Sequence, residues 1–248
     1  MALNNSRTLR DKILKARELI LSSEYVVVLT GAGISAESGV PTFRGSDGIW
    51  RNYNAMELAT PEAFNTNPKL VWEFYLWRRR LIASCNPNPA HYALVKLEQK
   101  VPFFTLITQN VDGLHHKAGS KNVLEIHGNL WRVRCTRCGR NEYDTRTEMD
   151  IPPRCDSCDG ILRPDVVWFG ETLSTDVLAE AINSLKKADI LLIVGTSGVV
   201  EPAASFGMIA RQDGAFVIEV NLEKTPRSGF YNLTITGKAG EVLPQIVG

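Results

Sequence analysis

Tyr25-Val26-Val27-Val28-Leu29, bounded by Thr30, runs directly into Gly31-Ala32-Gly33-Ile34-Ser35-Ala36. A β-branched apolar run without polar alternation reads as a strand buried on both faces, as in a parallel sheet. The hexapeptide fits G-x-G-x-x-A, whose small residues let the backbone approach a pyrophosphate at a helix N-terminus. Any tight strand-to-helix turn would use the same glycines, so on these six residues both readings stand.

The same design recurs outward from this point. Residues 103–108, 190–194 and 216–220 are short apolar runs, the last two closing on Gly195 and Asn221. Residues 7–17, 178–187 and 202–211 read as helices, and Asn86-Pro87-Asn88-Pro89 reads as a turn that starts another at Ala90. Strands alternating with helices predict an α/β fold: a Rossmann-like, doubly wound parallel sheet with ligands beyond the carboxyl ends of its strands. Two stretches break the alternation. Residues 49–81 are rich in aromatics and helix formers, and 130–163 hold four of the five cysteines. The expectation is an NAD-binding domain from 1–48, 82–129 and 164–248, and a smaller domain made of a helical insertion (49–81) and a zinc-ribbon module (130–163).

A chain of 248 residues, 44% hydrophobic and 22% charged, can bury a full core. Its formal net charge of +1 gives no electrostatic reason to expect nucleic acid or an anionic membrane as partner. With a polar N-terminus and no long apolar run, a soluble, cytoplasmic protein is expected.

A dehydrogenase fingerprint needs a second strand ending in an acid about 20 residues after the glycines. Here the chain continues Glu37-Ser38-Gly39-Val40-Pro41-Thr42-Phe43-Arg44, a polar loop carrying an aromatic and an arginine. The later strand pair offers a more ordinary half-site, with Gly195-Thr196-Ser197-Gly198 after one strand and Asn221 and Glu223 where ribose hydroxyls would be met.

Residues 31–44 resemble the signature of the sirtuin family. The likeness recurs at Thr108-Gln109-Asn110-Val111-Asp112, at His127-Gly128 and at Val166-Val167-Trp168-Phe169-Gly170-Glu171. The resemblance implies an NAD-dependent protein-lysine deacylase, with NAD consumed as co-substrate. It places NAD against Gly31, Ala32, Gly33, Ser35, Glu37, Thr42, Phe43, Arg44, Trp50, Gln109, Asn110, Val111, Asp112, Gly195, Thr196, Ser197, Asn221, Leu222, Glu223 and Ala239. In the family's chemistry, nicotinamide leaves as the acyl-lysine carbonyl oxygen attacks C1′, which demands orientation and a dry site. His127 then acts as general base on the ribose hydroxyl, a task for a group titrating near neutrality, with Asn110 as the other catalytic residue. Products are the free lysine, nicotinamide and O-acyl-ADP-ribose. From the residues alone, His127 could be a turn histidine like His91, His115 or His116, and 109–112 could be strand-end turn chemistry.

Residues 166–171 read as an extended segment. By resemblance it pairs with an acyl-lysine substrate bound as an extended peptide, through Val167, Phe169, Gly170 and Glu171. Tyr75 and Arg78 lie three apart, on one face if their stretch is helical. In sirtuins that remove acidic acyl groups a Tyr-x-x-Arg pair binds the distal carboxylate, so desuccinylase and demalonylase activity is expected beside deacetylase activity. Without that resemblance, Arg78-Arg79-Arg80 reads as a basic helix surface.

Cys135-x-x-Cys138 and Cys155-x-x-Cys158 carry the spacing of a four-thiolate zinc site. Four thiolates leave no open coordination position, so one structural Zn²⁺ is expected rather than a hydrolytic centre. Cys85 stands outside the pattern, as a small apolar residue or free thiol. Two other functions use the same features: an NAD-dependent protein ADP-ribosyltransferase, or a non-catalytic NAD-sensing module.

Overall fold

The computed structural model describes the backbone of residues 2–42 and 55–248, and the side chains of 8–42 and 57–248. Six strands form one sheet: β1 (Tyr25–Thr30), β2 (Phe103–Thr108), β3 (Val123–Glu125), β7 (Ile190–Val194), β8 (Phe216–Asn221) and β9 (Leu233–Thr236). Their order is β3-β2-β1-β7-β8-β9 and every neighbouring pair is parallel. The order reverses between β1 and β7, which opens a crevice at the carboxyl ends of these two strands.

The unbroken apolar runs follow from burial on both faces. Val26 and Val28 point into one core beneath α1 (Ala2–Leu21), α5 (Pro89–Lys100) and α9 (Ala239–Val247). Val27 and Leu29 point into the other, beneath α7 (Thr175–Lys187) and α8 (Ala203–Gln212). All four valine and leucine side chains are at most 2% exposed, so a charge on either side of β1 would sit in a core. The turn at 86–89 starts α5 as its sequence directs. Pro89 takes the first helical position, Asn88 caps the Ala90 amide at 2.9 Å, and His91 Nδ1 accepts from the Asn88 amide at 3.3 Å.

A second, three-stranded antiparallel sheet, ordered β5-β4-β6, comprises β4 (Gly128–Cys135), β5 (Asn141–Tyr143) and β6 (Leu162–Val166). Against it pack α2 (Ala55–Leu58), α3 (Pro61–Thr66) and α4 (Pro68–Ala83), which share a third apolar core with it; α6 (Leu114–Ala118) follows β2. Capping explains the helix starts: Thr60 accepts from the Ala63 amide and Asn67 from the Leu70 amide, each before a proline.

The basic-surface reading of Arg78-Arg79-Arg80 fails for two of the three. Arg78 and Arg79 are buried, and only Arg80 is exposed. Arg79 donates to the Leu130 carbonyl at 2.9 Å, meets Asp144 at 3.4 Å and stacks on Trp72 and Trp131. Planar stacking and forked donation let a guanidinium sit in this core where an ammonium would not.

Candidate active site

The crevice between β1 and β7 is closed at its base by glycines. Gly33 donates to the Gly195 carbonyl at 2.9 Å, and a Cβ on Gly33 would stand 2.7 Å from Gly195 Cα. Gly195 has φ +61°, and a Cβ there would meet the Ile34 nitrogen at 2.5 Å. The glycines therefore interlock the two halves of the sheet, a contact that neither the phosphate reading nor the tight-turn reading of the sequence contains. Asn221 at the end of β8 donates to the Thr196 carbonyl at 2.8 Å, while Ser197, Leu222 and Glu223 are exposed around it.

Across the crevice, Asn110 Nδ2 donates to the Gly31 carbonyl at 3.1 Å and to Ser35 Oγ at 3.3 Å. Ser35 Oγ donates to Asp112 Oδ2 at 2.8 Å, and Asp112 Oδ1 accepts from the Leu114 amide at 2.8 Å. Burial raises the Asp112 pKa, opposed by those two donors and by the charge of Arg78. Val111 presents its carbonyl to the Leu130 amide, and Ala32 and Thr42 are half-buried at the rim. Glu37 accepts from the Gly240 amide at 2.7 Å, its carboxylate set at the N-terminus of α9 beside buried Ala239. Phe43, Arg44 and Trp50, expected to contact NAD, lie outside the described residues.

His127 follows β3 and faces the end of β2. Its Nδ1 lies 3.0 Å from the Gln109 carbonyl oxygen, which can only accept, so Nδ1 carries the proton and Nε2 is left basic. Burial lowers the His127 pKa, with the Gln109 carbonyl working against that shift. A half-buried neutral imidazole with one nitrogen committed and the other without a partner among the described residues is equipped to take a proton.

The His127 carbonyl accepts from the Val167 amide at 2.9 Å, which ties His127 to the 166–171 segment. That segment is not one extended run. Strand β6 ends at Val166, and Phe169-Gly170 forms a turn with Gly170 at φ +86°. The physical reason is a local tether: Glu171 is drawn back by Arg163, whose Nη1 and Nη2 reach its oxygens at 2.6 and 2.9 Å. The sequence reading missed this role of Arg163 in shaping 166–171, since Leu162-Arg163-Pro164 carries no motif of its own. Phe169 is 40% exposed at the tip of the turn.

Tyr75 and Arg78 share a buried face of α4. The Tyr75 hydroxyl accepts from Trp168 Nε1 at 2.8 Å, and the Arg78 guanidinium lies 5.7 Å from the Tyr75 ring centre. Burial lowers the Arg78 pKa, while Tyr75 and Asp112 favour its charge.

Away from the crevice, the sulfurs of Cys135, Cys138, Cys155 and Cys158 all lie within 4.8 Å of one another. Cys135 and Cys158 stand 3.5 Å apart, and Cys138 and Cys155 3.8 Å. The edge of a tetrahedron with ~2.3 Å zinc–sulfur bonds is about 3.8 Å, so the donor set fits one Zn²⁺ with no vacant position. Cys85 is buried, its thiol 3.4 Å from the Leu81 carbonyl, and lies outside this cluster.

The Sir2 family pattern matches residues 31–202, more than half of the chain. This protein belongs to the Sir2 family. It is similar to the NAD-dependent protein deacylase of Aquifex aeolicus (strain VF5), 54% identical over 222 residues that cover 89% of this chain and 93% of that protein. A second relative, the NAD-dependent protein deacylase of Pyrococcus furiosus, is 52% identical over 93% of this chain and 94% of its own. Among solved structures, this Sir2-family chain superposes on a Sir2 homolog–NAD complex with a TM-score of 0.89 and 47% identity, covering 94% and 91% of the two chains. A Sir2–p53 peptide–NAD⁺ complex gives 0.83 at 35% identity, covering 92% and 94%. No described helix of this Sir2-family chain is long and apolar enough to cross a membrane.

Proposed function

We propose that this chain is an NAD-dependent protein-lysine deacylase that acts on acyl-lysine in extended peptide segments. The observation that carries the reading is His127: half-buried, neutral, its Nδ1 committed to Gln109 and its Nε2 without a partner among the described residues, at the crevice built by Asn110, Asp112 and the interlocked glycines. The relatives named as NAD-dependent protein deacylases and the solved complexes with NAD and with a peptide support it.

NAD, as co-substrate, would supply the ADP-ribosyl acceptor for the acyl group, and with one water consumed the products would be nicotinamide, O-acyl-ADP-ribose and the free lysine. The glycine loop and the Gly195-Thr196-Ser197 turn would hold it from both halves of the sheet, with Asn221, Leu222 and Glu223 at its ribose end. Asn110 and Asp112, held by Ser35, would fix the orientation of the nicotinamide end. His127 Nε2 would take the proton from the ribose hydroxyl. The four cysteines would hold a Zn²⁺ that braces the small sheet and takes no part in the reaction.

The finer reading is acyl choice. Tyr75 and Arg78 place a hydroxyl and a guanidinium on one buried face of α4, a pair suited to the carboxylate of succinyl- or malonyl-lysine. We read 49–81 and 130–163 as the smaller domain carrying this pair, and the cytoplasm as the compartment.

The test is mass spectrometry of acetyl-, succinyl- and malonyl-lysine peptides incubated with NAD. Loss of the acyl mass together with O-acyl-ADP-ribose is expected. An intact acyl group on a peptide that gains ADP-ribose would replace this reading with ADP-ribosyl transfer.

A further inference from the structure

The α4 tyrosine is held by a short chain of groups that ends in the substrate segment. Trp168 is 3% exposed, and its indole N–H donates to the Tyr75 hydroxyl at 2.8 Å. The Arg163 guanidinium lies 3.4 Å from the Trp168 ring centre. Besides its fork on Glu171, Arg163 donates to the Val166 carbonyl at 3.0 Å, and Glu171 Oε2 accepts from the Trp168 amide at 2.9 Å. One buried guanidinium therefore grips both ends of 166–171 and forms the floor of the indole between them.

Each part has a chemical requirement. Burial would raise the Glu171 pKa, but bonds from Arg163 and the Trp168 amide hold it below its ordinary value, so Glu171 faces the guanidinium as a carboxylate at neutral pH. The two parallel N–H donors match a carboxylate, and the flat guanidinium face matches an indole; an ammonium offers neither. A tyrosine O–H rotates about its C–O bond, and accepting a hydrogen bond from one side biases its own hydrogen to the other. Orientation set before binding is not spent when the ligand arrives.

We propose that Arg163 and Trp168 are positioning residues for acyl recognition: Arg163 clamps the peptide-facing segment, and the Trp168 indole N–H sets the Tyr75 hydroxyl toward the acyl carboxylate. The peptide register and the acyl end are then aligned by one rigid unit. This inference rests on the assignment of Tyr75 and Arg78 to that carboxylate, and adds the residues that hold the pair in place.

The experiment is steady-state kinetics of the zinc-loaded full chain on succinyl- and acetyl-lysine peptides of one sequence. Trp168→Phe keeps a ring over Arg163 and removes the indole N–H. It is expected to raise KM for the succinyl peptide about fivefold, the scale of one hydrogen bond, with kcat and both acetyl constants within about twofold. Added to Tyr75→Phe, it should cause no further loss, because its effect passes through the tyrosine hydroxyl. Arg163→Lys should raise KM for both peptides, and more for the succinyl one. Equal changes on both peptides with Trp168→Phe, or none, overturn the inference while Tyr75→Phe and Arg78→Met remain selective. A wild type without succinyl turnover, or a Tyr75→Phe variant without selectivity, sinks the acyl assignment and this inference together.

Discussion

His127 Nδ1 donates to the Gln109 carbonyl oxygen at 3.0 Å, so the ring's tautomer is set by a main-chain atom that no substitution at position 109 removes. In the proposed reaction Nε2 is the atom that takes the proton, and its protonation would end activity. Because burial lowers the His127 pKa, activity should fall with acid only below the ordinary 6.5, as Nε2 gains a proton. A pH profile of kcat/KM checks this, and an acidic limb at or above 6.5 contradicts it. His127→Ala should lose roughly 10²–10⁴-fold in turnover, the range for a general base, while NAD binding by calorimetry is retained.

Gly195 cannot accept a side chain. Its left-handed φ and the 2.5 Å approach of a Cβ to the Ile34 nitrogen act together. Gly195→Ala should destabilise the fold by about 2–4 kcal/mol and weaken NAD binding, as the β1 and β7 loops are forced apart. An unchanged urea midpoint and an unchanged NAD affinity would remove the interlock as a determinant of the site.

His91 and His115 are buried with ring centres 4.9 Å apart. Burial lowers the His91 pKa from 6.5 to about 4 and that of His115 well below 6.5. The unfolded chain therefore binds protons that the folded chain refuses, and stability is lost as pH falls through 6.5 toward 4. His91 alone accounts for roughly 3 kcal/mol of this loss. Urea unfolding at pH 7.5, 6 and 5 measures it, and His91→Gln should flatten the slope. A slope unchanged by that variant would assign the acid sensitivity to other groups.

Zinc and activity should separate. Cobalt in the four-thiolate site should leave turnover within about twofold, whereas chelation or Cys155→Ser should unfold the small sheet and abolish activity through it. Elemental analysis should give one metal per chain. A turnover number that follows the identity of the metal would make the ion part of the chemistry.

For acyl choice, Tyr75→Phe and Arg78→Met should each weaken succinyl turnover by about tenfold or more, the scale of a charge-assisted bond, and acetyl turnover far less. Parallel assays on the two peptides decide this, and equal losses would take both residues out of acyl recognition.

The sequence by itself determined the four central strands of the parallel sheet, because β-branched runs such as 25–30 and 190–194 hold their preference locally, whereas the shorter edge strands and the small sheet carry no such run. The register of the parallel sheet merely places them. It also determined the metal site, since two Cys-x-x-Cys pairs carry their ligand geometry in their spacing. Tertiary structure alone decided which polar groups are buried and what they meet. Arg78 and Arg79 look like their exposed neighbour Arg80 until α4 turns them toward Tyr75, Asp144 and two tryptophans. Gly33 and Gly195 look like separate phosphate turns until the strand order brings their backbones into contact. The basic nitrogen of His127 and the Arg163–Glu171 clamp follow from where β2 and β6 end. These are long-range facts, because burial and hydrogen-bond partners are set by chain segments far apart in sequence.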